Sequence, residues 1–282
     1  MRALLALDRG ASTLARLVST ARDEAMLAWI PPERRARIND LLYATQRTYA
    51  PGGNAFEQGL FEWERTALAH PRFPRGGRVL VGGAGGGREM AALRALGYGV
   101  VGFDPCEPLV QSGRALLDEG GSASLVTASY ADLVRAARGD STALAPLLAR
   151  GPFDAVVLGW GSFSYLSSTD EAVELLRALR RLAPAAPVLL SFLRPTGAAD
   201  AAPGRFQSML RRIFARLGAP ARVGAGDAFA PWSGFYRAVA MGDVGTMAAR
   251  AGYEIAILRA DWYAHALLVP APADAEARLA PP

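Results

Sequence analysis

Arg78-Val79-Leu80-Val81-Gly82-Gly83-Ala84-Gly85-Gly86-Gly87-Arg88-Glu89 is the stretch on which the reading of this chain turns. An apolar run breaks into a glycine cluster and then into residues suited to open a helix. Strand, glycine turn and helix in that order let a ligand approach the main chain, where free N–H groups point outward. Two spacings compete. The dinucleotide fingerprint Gly-x-Gly-x-x-Gly needs a third glycine at a position held by Arg88 or Met90. Gly-x-Gly-x-Gly fits as Gly83, Gly85 and Gly87. Further on, Val100-Val101-Gly102-Phe103-Asp104 ends a second apolar run in an acid. A carboxylate there can accept hydrogen bonds from both hydroxyls of a ribose. The structural alternative for Asp104 is a turn-forming acid before Pro105.

Working outward, apolar runs and helical stretches alternate through Ser124–Thr127, Phe153–Leu158, the helix Asp170–Leu182 and Pro187–Phe192. This rhythm predicts right-handed crossovers and a mainly parallel sheet. Tyr253–Leu258 and Ala264–Val269 are too close for a helical crossover and predict an antiparallel pair. Upstream the pattern is helical. Ala11 to Ile30 runs to the stop at Pro31-Pro32, Glu33 to Tyr49 follows, and Pro51-Gly52-Gly53-Asn54 is a turn. A third helix, Phe56 to Leu68, carries Phe56, Leu60, Trp63 and Ala67 on one face, ahead of a Pro/Gly linker. The expected division is a helical cap over residues 1–77, an α/β domain over 78–270 and a flexible tail over 271–282.

The chain has 282 residues, 51% of them hydrophobic, enough for a sizeable core and too apolar for a disordered polymer. One cysteine, Cys106, excludes a disulfide scaffold, and two histidines, His70 and His265, argue against a His-rich metal centre. The net charge is +5, but all 31 basic residues are arginines and they are spread along the chain. With the high alanine content this reads as codon usage, and no aromatic-interleaved basic stripe points to nucleic acid. No run reaches the length of a membrane span or a signal-peptide core. The expectation is a cytoplasmic protein with a small-molecule substrate and neither nucleic acid, membrane nor metal as partner.

On these residues the chain resembles the class I S-adenosylmethionine-dependent methyltransferases. Val126 to Leu133 looks like that family's third strand and its adenine-contacting loop, and Phe153–Leu158 like its fourth strand. Leu182-Ala183-Pro184 looks like the turn into its fifth strand, and Ala251-Gly252-Tyr253-Glu254 with the closing hairpin like its sixth and seventh. The resemblance implies a Rossmann-like α/β fold: a seven-stranded, mostly parallel sheet with an antiparallel last strand. It implies S-adenosyl-L-methionine as cofactor, touched by Gly83, Ala84, Gly85, Gly87, Glu89, Asp104, Pro105, Ser129, Tyr130, Gly159 and Trp160. The acid usual before Gly82 is Val81 here. The acid usual at the end of the third strand falls near Ser129, with Asp132 close by.

The resemblance further implies that strand order reverses between the first strand and the fourth, where an open sheet of this kind binds its ligand. Gly159-Trp160-Gly161-Ser162-Phe163-Ser164-Tyr165 lies at the mouth of the crevice there, offering flat walls and hydroxyls. Acceptor contacts are expected from Tyr49, Phe56, Trp160, Phe163, Tyr165 and Arg237. His265 is the candidate base and Tyr165 the candidate orienting hydroxyl, with a hydrogen-bonded core histidine as the plainer reading of His265. Two lids are expected: the turn around Tyr49, Asn54 and Phe56, and a long loop over Gly218–Tyr236. Methyl transfer to oxygen, nitrogen or carbon is the favoured reading. A nicotinamide-dependent oxidoreductase and a non-catalytic protein that keeps the fold are the alternatives. The helical cap is also the natural place for contacts in a homodimer.

Overall fold

The computed structural model describes residues 1–117, 124–149, 151–195 and 204–272. They form two compact units, one made of residues 1–42 and 195–238, the other of residues 43–194 and 239 onward. The tail expected from residue 271 lies, from residue 273, outside the described residues.

The larger unit is built on strands β1 (Arg78–Gly82), β2 (Gly99–Asp104), β3 (Ser124–Thr127), β4 (Ala155–Leu158), β5 (Val188–Ser191), β8 (Tyr253–Arg259) and β9 (His265–Pro270). Their order across the sheet is β3-β2-β1-β4-β5-β9-β8. All neighbours from β3 to β5 pair in parallel, and β9 runs antiparallel to both β5 and β8. The Rossmann-like sheet with its antiparallel last strand is therefore as expected, and chain order reverses between β1 and β4.

Period-two alternation sorts the strand residues to two cores. Val79, Val81, Val157, Leu189 and Leu267 share one core with Trp63 and Ala67 of α4 (Glu62–Leu68). That core also takes Met90 and Leu93 of α5 (Arg88–Ala95), and Val110 and Leu117 of α6 (Glu107–Leu117). Leu80, Val156, Leu158, Val188 and Leu190 share the other core with α7 (Tyr130–Ala136), α8 (Ala145–Leu148), α9 (Thr169–Leu182) and α11 (Met241–Arg250). Both faces are covered, which is why these strands read as continuous apolar runs.

The expected third helix is broken. Asn54–Glu57 is a single turn, α3, and α4 starts only at Glu62. Between them Gly59 adopts φ +61°, which no helix continues. The Phe61 N–H donates to Glu64 Oε2 at 2.6 Å and opens α4 with its own cap.

In the smaller unit, α1 (Arg2–Trp29) begins well before the expected Ala11, α2 spans Pro32–Thr45 across the unit boundary, and α10 covers Arg205–Arg216. Residues 218–236 are not one long loop. They carry most of an antiparallel hairpin, β6 (Asp227–Ala230) with β7 (Gly234–Arg237). Asn39 holds it by donating to the Phe235 carbonyl at 2.7 Å and accepting the Phe235 N–H at 2.8 Å. Buried Glu24 accepts two bonds from Arg211, at 2.6 and 3.0 Å. Among the described residues no helix is long and apolar enough to cross a membrane.

Candidate functional site

The glycine loop leaves β1 at the carboxyl edge of the sheet. A side chain on Gly83, at φ +66°, would put its Cβ 2.5 Å from the Ser162 Cβ. One on Gly86 would stand 2.5 Å from the Tyr49 carbonyl oxygen. Only glycine lets the Tyr49–Pro51 turn rest on this loop. Asp104 ties the loop to β2: Oδ2 accepts the Gly85 N–H at 2.8 Å, and Oδ1 accepts the Cys106 N–H beyond Pro105 at 2.8 Å. Asp104 thus acts as the turn-forming acid that its place before Pro105 allows. Ala84 is buried and donates its N–H to the Phe103 carbonyl at 3.0 Å. Gly87, at φ +88°, passes the chain into α5.

At the end of β3, Ser129 caps α7. Its Oγ accepts the Asp132 N–H at 3.2 Å, and its N–H donates to Asp132 Oδ2 at 2.8 Å. Burial alone would raise the Asp132 carboxyl, but bonds from Ser129 and Arg135 outweigh it and hold it below the ordinary carboxylate value. Tyr130 reaches the other way and shares a 2.6 Å bond with Ser162 Oγ, joining the ends of β3 and β4. Burial pushes the Tyr130 hydroxyl up, so it stays neutral.

Behind the glycine loop Glu89, an expected cofactor contact, joins Arg88 and Glu64 in a buried ion cluster. Arg88 donates to Glu64 Oε1 and Oε2 at 2.6 and 2.8 Å and to Glu89 Oε1 at 2.6 Å. Its guanidinium stands 4.0 Å over the Phe61 ring. Burial lowers Arg88, yet the two carboxylates outweigh that and raise it. Burial holds the Glu64 carboxyl above its ordinary value against the pull of Arg88. Glu89 Oε1 also receives the Trp160 N–H at 3.2 Å. Gly159, just before, has no room for a Cβ, which would meet the Gly83 carbonyl at 2.2 Å.

From Trp160 an arc of rings spreads along the carboxyl edge. Its indole lies 5.9 Å from Tyr49, 4.7 Å from Phe61 and 5.5 Å from Tyr263, centroid to centroid. Tyr49 meets Tyr43 at 5.4 Å, and the Tyr43 and Tyr165 hydroxyls bond to each other. On the far side Trp63 stands 5.1 Å from His265. A cavity of about 270 Å³ opens here, lined by Phe61, Glu62, Trp63, Thr66, Trp160, Arg259, Asp261, Trp262, Tyr263 and His265. Of the expected acceptor contacts Trp160 lines it, as does His265, the candidate base, whereas Tyr49 packs on the Trp160 ring and Tyr165 binds Tyr43. Phe163 is buried in the core of the sheet, Phe56 is half-buried in the single turn α3, and Arg237 stands on β7 of the smaller unit.

The N-terminal aromatics Phe61 and Trp63 are expected from the sequence to pack on the core and partly roof the pocket, whereas nothing in the sequence singles out Glu64 or Trp262. The aromatic spacing Phe61-x-Trp63 just below the linker was the one available signal.

No protein-family model matches the chain, and no curated protein matches it in sequence. Solved structures do match. The PH0226 protein of Pyrococcus horikoshii superposes with a TM-score of 0.54 at 17% identity, covering 81% of this chain and 97% of its own. The sugar N-methyltransferase KedS8 from Streptoalloteichus reaches 0.50 at 17% identity, covering 74% and 85%. CalS10, an amino pentose methyltransferase from Micromonospora echinaspora solved with S-adenosylmethionine bound, reaches 0.50 at 16% identity, covering 77% and 95%. With its strand order, its antiparallel last strand and these superpositions, the chain has the Rossmann-like fold of the class I S-adenosylmethionine-dependent methyltransferases.

Proposed function

We propose that this chain is an S-adenosylmethionine-dependent methyltransferase of a small molecule. The observation that carries the reading is the Asp104–Gly85 bond, which locks a three-glycine loop against the acid that ends β2. Fold alone does not assign chemistry, so the fit has to rest on the residues themselves. A carboxylate accepts at about four positions, so bonds to loop amides and to ribose hydroxyls are compatible at Asp104. Gly85 leaves the loop open where an adenosyl group would approach it, a Cβ there meeting nothing nearer than Leu109 at 3.9 Å. Glu89, buried beside the loop, supplies a carboxylate for the amino-acid end, the role that Val81 cannot fill. The Ser129 hydroxyl and the Asp132 carboxylate are engaged in the α7 cap, so adenine would meet the backbone and the flanks of this turn.

The bound cofactor supplies an electrophilic methyl group on a sulfonium. What the chain must add is alignment and exclusion of water, because in-line displacement needs no strong acid. Trp160 is fixed through its backbone by Glu89 and through its ring by Phe61 and Tyr263, and so connects the cofactor side of the crevice to the aromatic cavity. His265 stands at the cavity as the proton acceptor for an acceptor group that arrives protonated. The larger unit would bind the cofactor, with its own helices α3 and α4 helping to enclose substrate.

Calorimetry with S-adenosylmethionine and S-adenosylhomocysteine tests the reading. Both should bind. Absence of binding by either ligand, with thermal stabilisation by NADH instead, would reverse the choice in favour of a nicotinamide enzyme.

A further inference from the structure

The fold gathers what the sequence spreads out. Of the 31 arginines the smaller unit holds 13 against seven acids, a net charge of +6. The larger unit holds 18 against 19, a net charge of −1. The whole basic excess of the chain therefore sits on less than a third of its residues. Linear position hides this, because residues 1–42 and 195–238 join only in the folded unit. The same unit leaves apolar side chains uncovered. Of the 14 exposed large apolar side chains among the described residues, ten belong to it. Single exposed apolar residues are ordinary, but such a concentration marks an interaction surface.

Helix α10 combines both features. It carries four arginines and no acid, and none of its residues is buried. Met209, Ile213 and Leu217, spaced four apart, form one exposed row. Arg205, Arg212 and Arg216 stand three or four residues from Met209 or Ile213 and form the row beside it. All three are exposed and pair with no acid among the described residues. Only Arg211 is committed, to Glu24. Phe206, Leu210 and Phe214, on the next row, are half-buried. Helix α1 adds Leu14, Leu17 and Val18 on one face, 63%, 41% and 61% exposed. Trp29 and, in the β6–β7 turn, Trp232 add two exposed indoles.

Charge decides what covers α10. A second copy would bring one +6 unit against another. A phosphate backbone would pair the arginines but leave the apolar row in water. An anionic bilayer takes both rows at once. Aliphatic side chains enter the acyl boundary, while arginine stems follow them and keep their guanidinium groups among the phosphates. We propose that the smaller unit docks on a membrane surface rich in anionic phospholipid through the outer rows of α10. The helix would lie on that surface, since no described helix is long and apolar enough to cross it. The proposal stands independently of the methyltransferase reading.

The test is flotation of the full chain with lipid vesicles. Vesicles of phosphatidylglycerol and phosphatidylcholine in equal parts should carry the protein, and vesicles of phosphatidylcholine alone should not. Binding should fall at least about tenfold as salt rises from about 0.1 to about 0.5 M. Arg205→Gln, Arg212→Gln and Arg216→Gln combined should weaken it about 100-fold. The same three positions exchanged for Lys should retain binding, which separates charge from folding. Ile213→Ser with Leu217→Ser should weaken it about tenfold at unchanged charge. Absence of binding to the anionic vesicles overturns the proposal, as does equal binding to the neutral ones or indifference to the glutamine triple. Sedimentation showing a dimer that Ile213→Ser with Leu217→Ser dissociates would assign the face to a second copy and overturn it too. Tight binding of a single-stranded oligonucleotide without vesicle binding would do the same in favour of nucleic acid.

Discussion

Asp104 accepts main-chain N–H groups from both sides, Gly85 and Cys106, so its carboxylate shapes the loop that a cofactor would meet. Asp104→Ala should cost at least about an order of magnitude in S-adenosylmethionine affinity by calorimetry, roughly 1.4 kcal/mol or more. Unchanged affinity would show that Asp104 is only a turn residue. Arg88 is a second decisive residue. Its side chain is 7% exposed and holds Glu64 and Glu89, which are 1% and 4% exposed. Removing it leaves two buried carboxylates side by side. Arg88→Met should cost about 3–5 kcal/mol in urea unfolding. Adding Glu64→Gln should recover part of that loss, because the two changes share one interaction. Full additivity of the pair would contradict the cluster as described.

At the scale of elements, α7 depends on its reciprocal cap. Ser129→Ala should cost about 1 kcal/mol in denaturant unfolding. The same cap has a pH signature. Asp132 is held below its ordinary 3.8 in the folded chain, so its contribution is complete above that value and is lost as pH falls through the lowered folded value. Thermal unfolding of Ser129→Ala and wild type should therefore converge in acid, and a constant gap across that window would count against the cap. The elements also show how far periodicity carries. β3 matches its expected span, and β1, β2, β5 and β9 fall within a residue or so at each end, because apolar runs bounded by Gly, Pro and Asp encode strands locally. Phe56–Leu68 read as one helix because its apolar spacing is helical throughout. The break depends on Gly59 at positive φ and on Glu64 reaching back to Phe61, and spacing carries neither.

At the scale of the molecule, the chain leaves the sheet unit after β5 and returns to it before α11, so the smaller unit joins residues far apart in sequence. Glu24 and Arg211 illustrate this: 187 positions separate them, and they form a bidentate pair with Glu24 buried. Glu24→Ala should raise amide exchange in α1, α10 and the β6–β7 hairpin while β1, β4 and β5 keep their protection. Uniform loss of protection across the sheet would show that the two units unfold as one.

The sequence by itself determined the sheet, the glycine loop and Asp104. Each is written in a contiguous stretch whose apolar period, turn chemistry and terminal acid act on their neighbours. Tertiary structure decided the rest. It carried Phe61 and Trp63 to Trp160 and His265, paired Arg88 with Glu64, and turned a core-facing tryptophan into a cavity wall. The physical reason is that a cavity is a property of several surfaces meeting. A helix before β1, the segment after β4 and the β8–β9 turn all end at the same sheet edge, and no local pattern in any one of them records the other two.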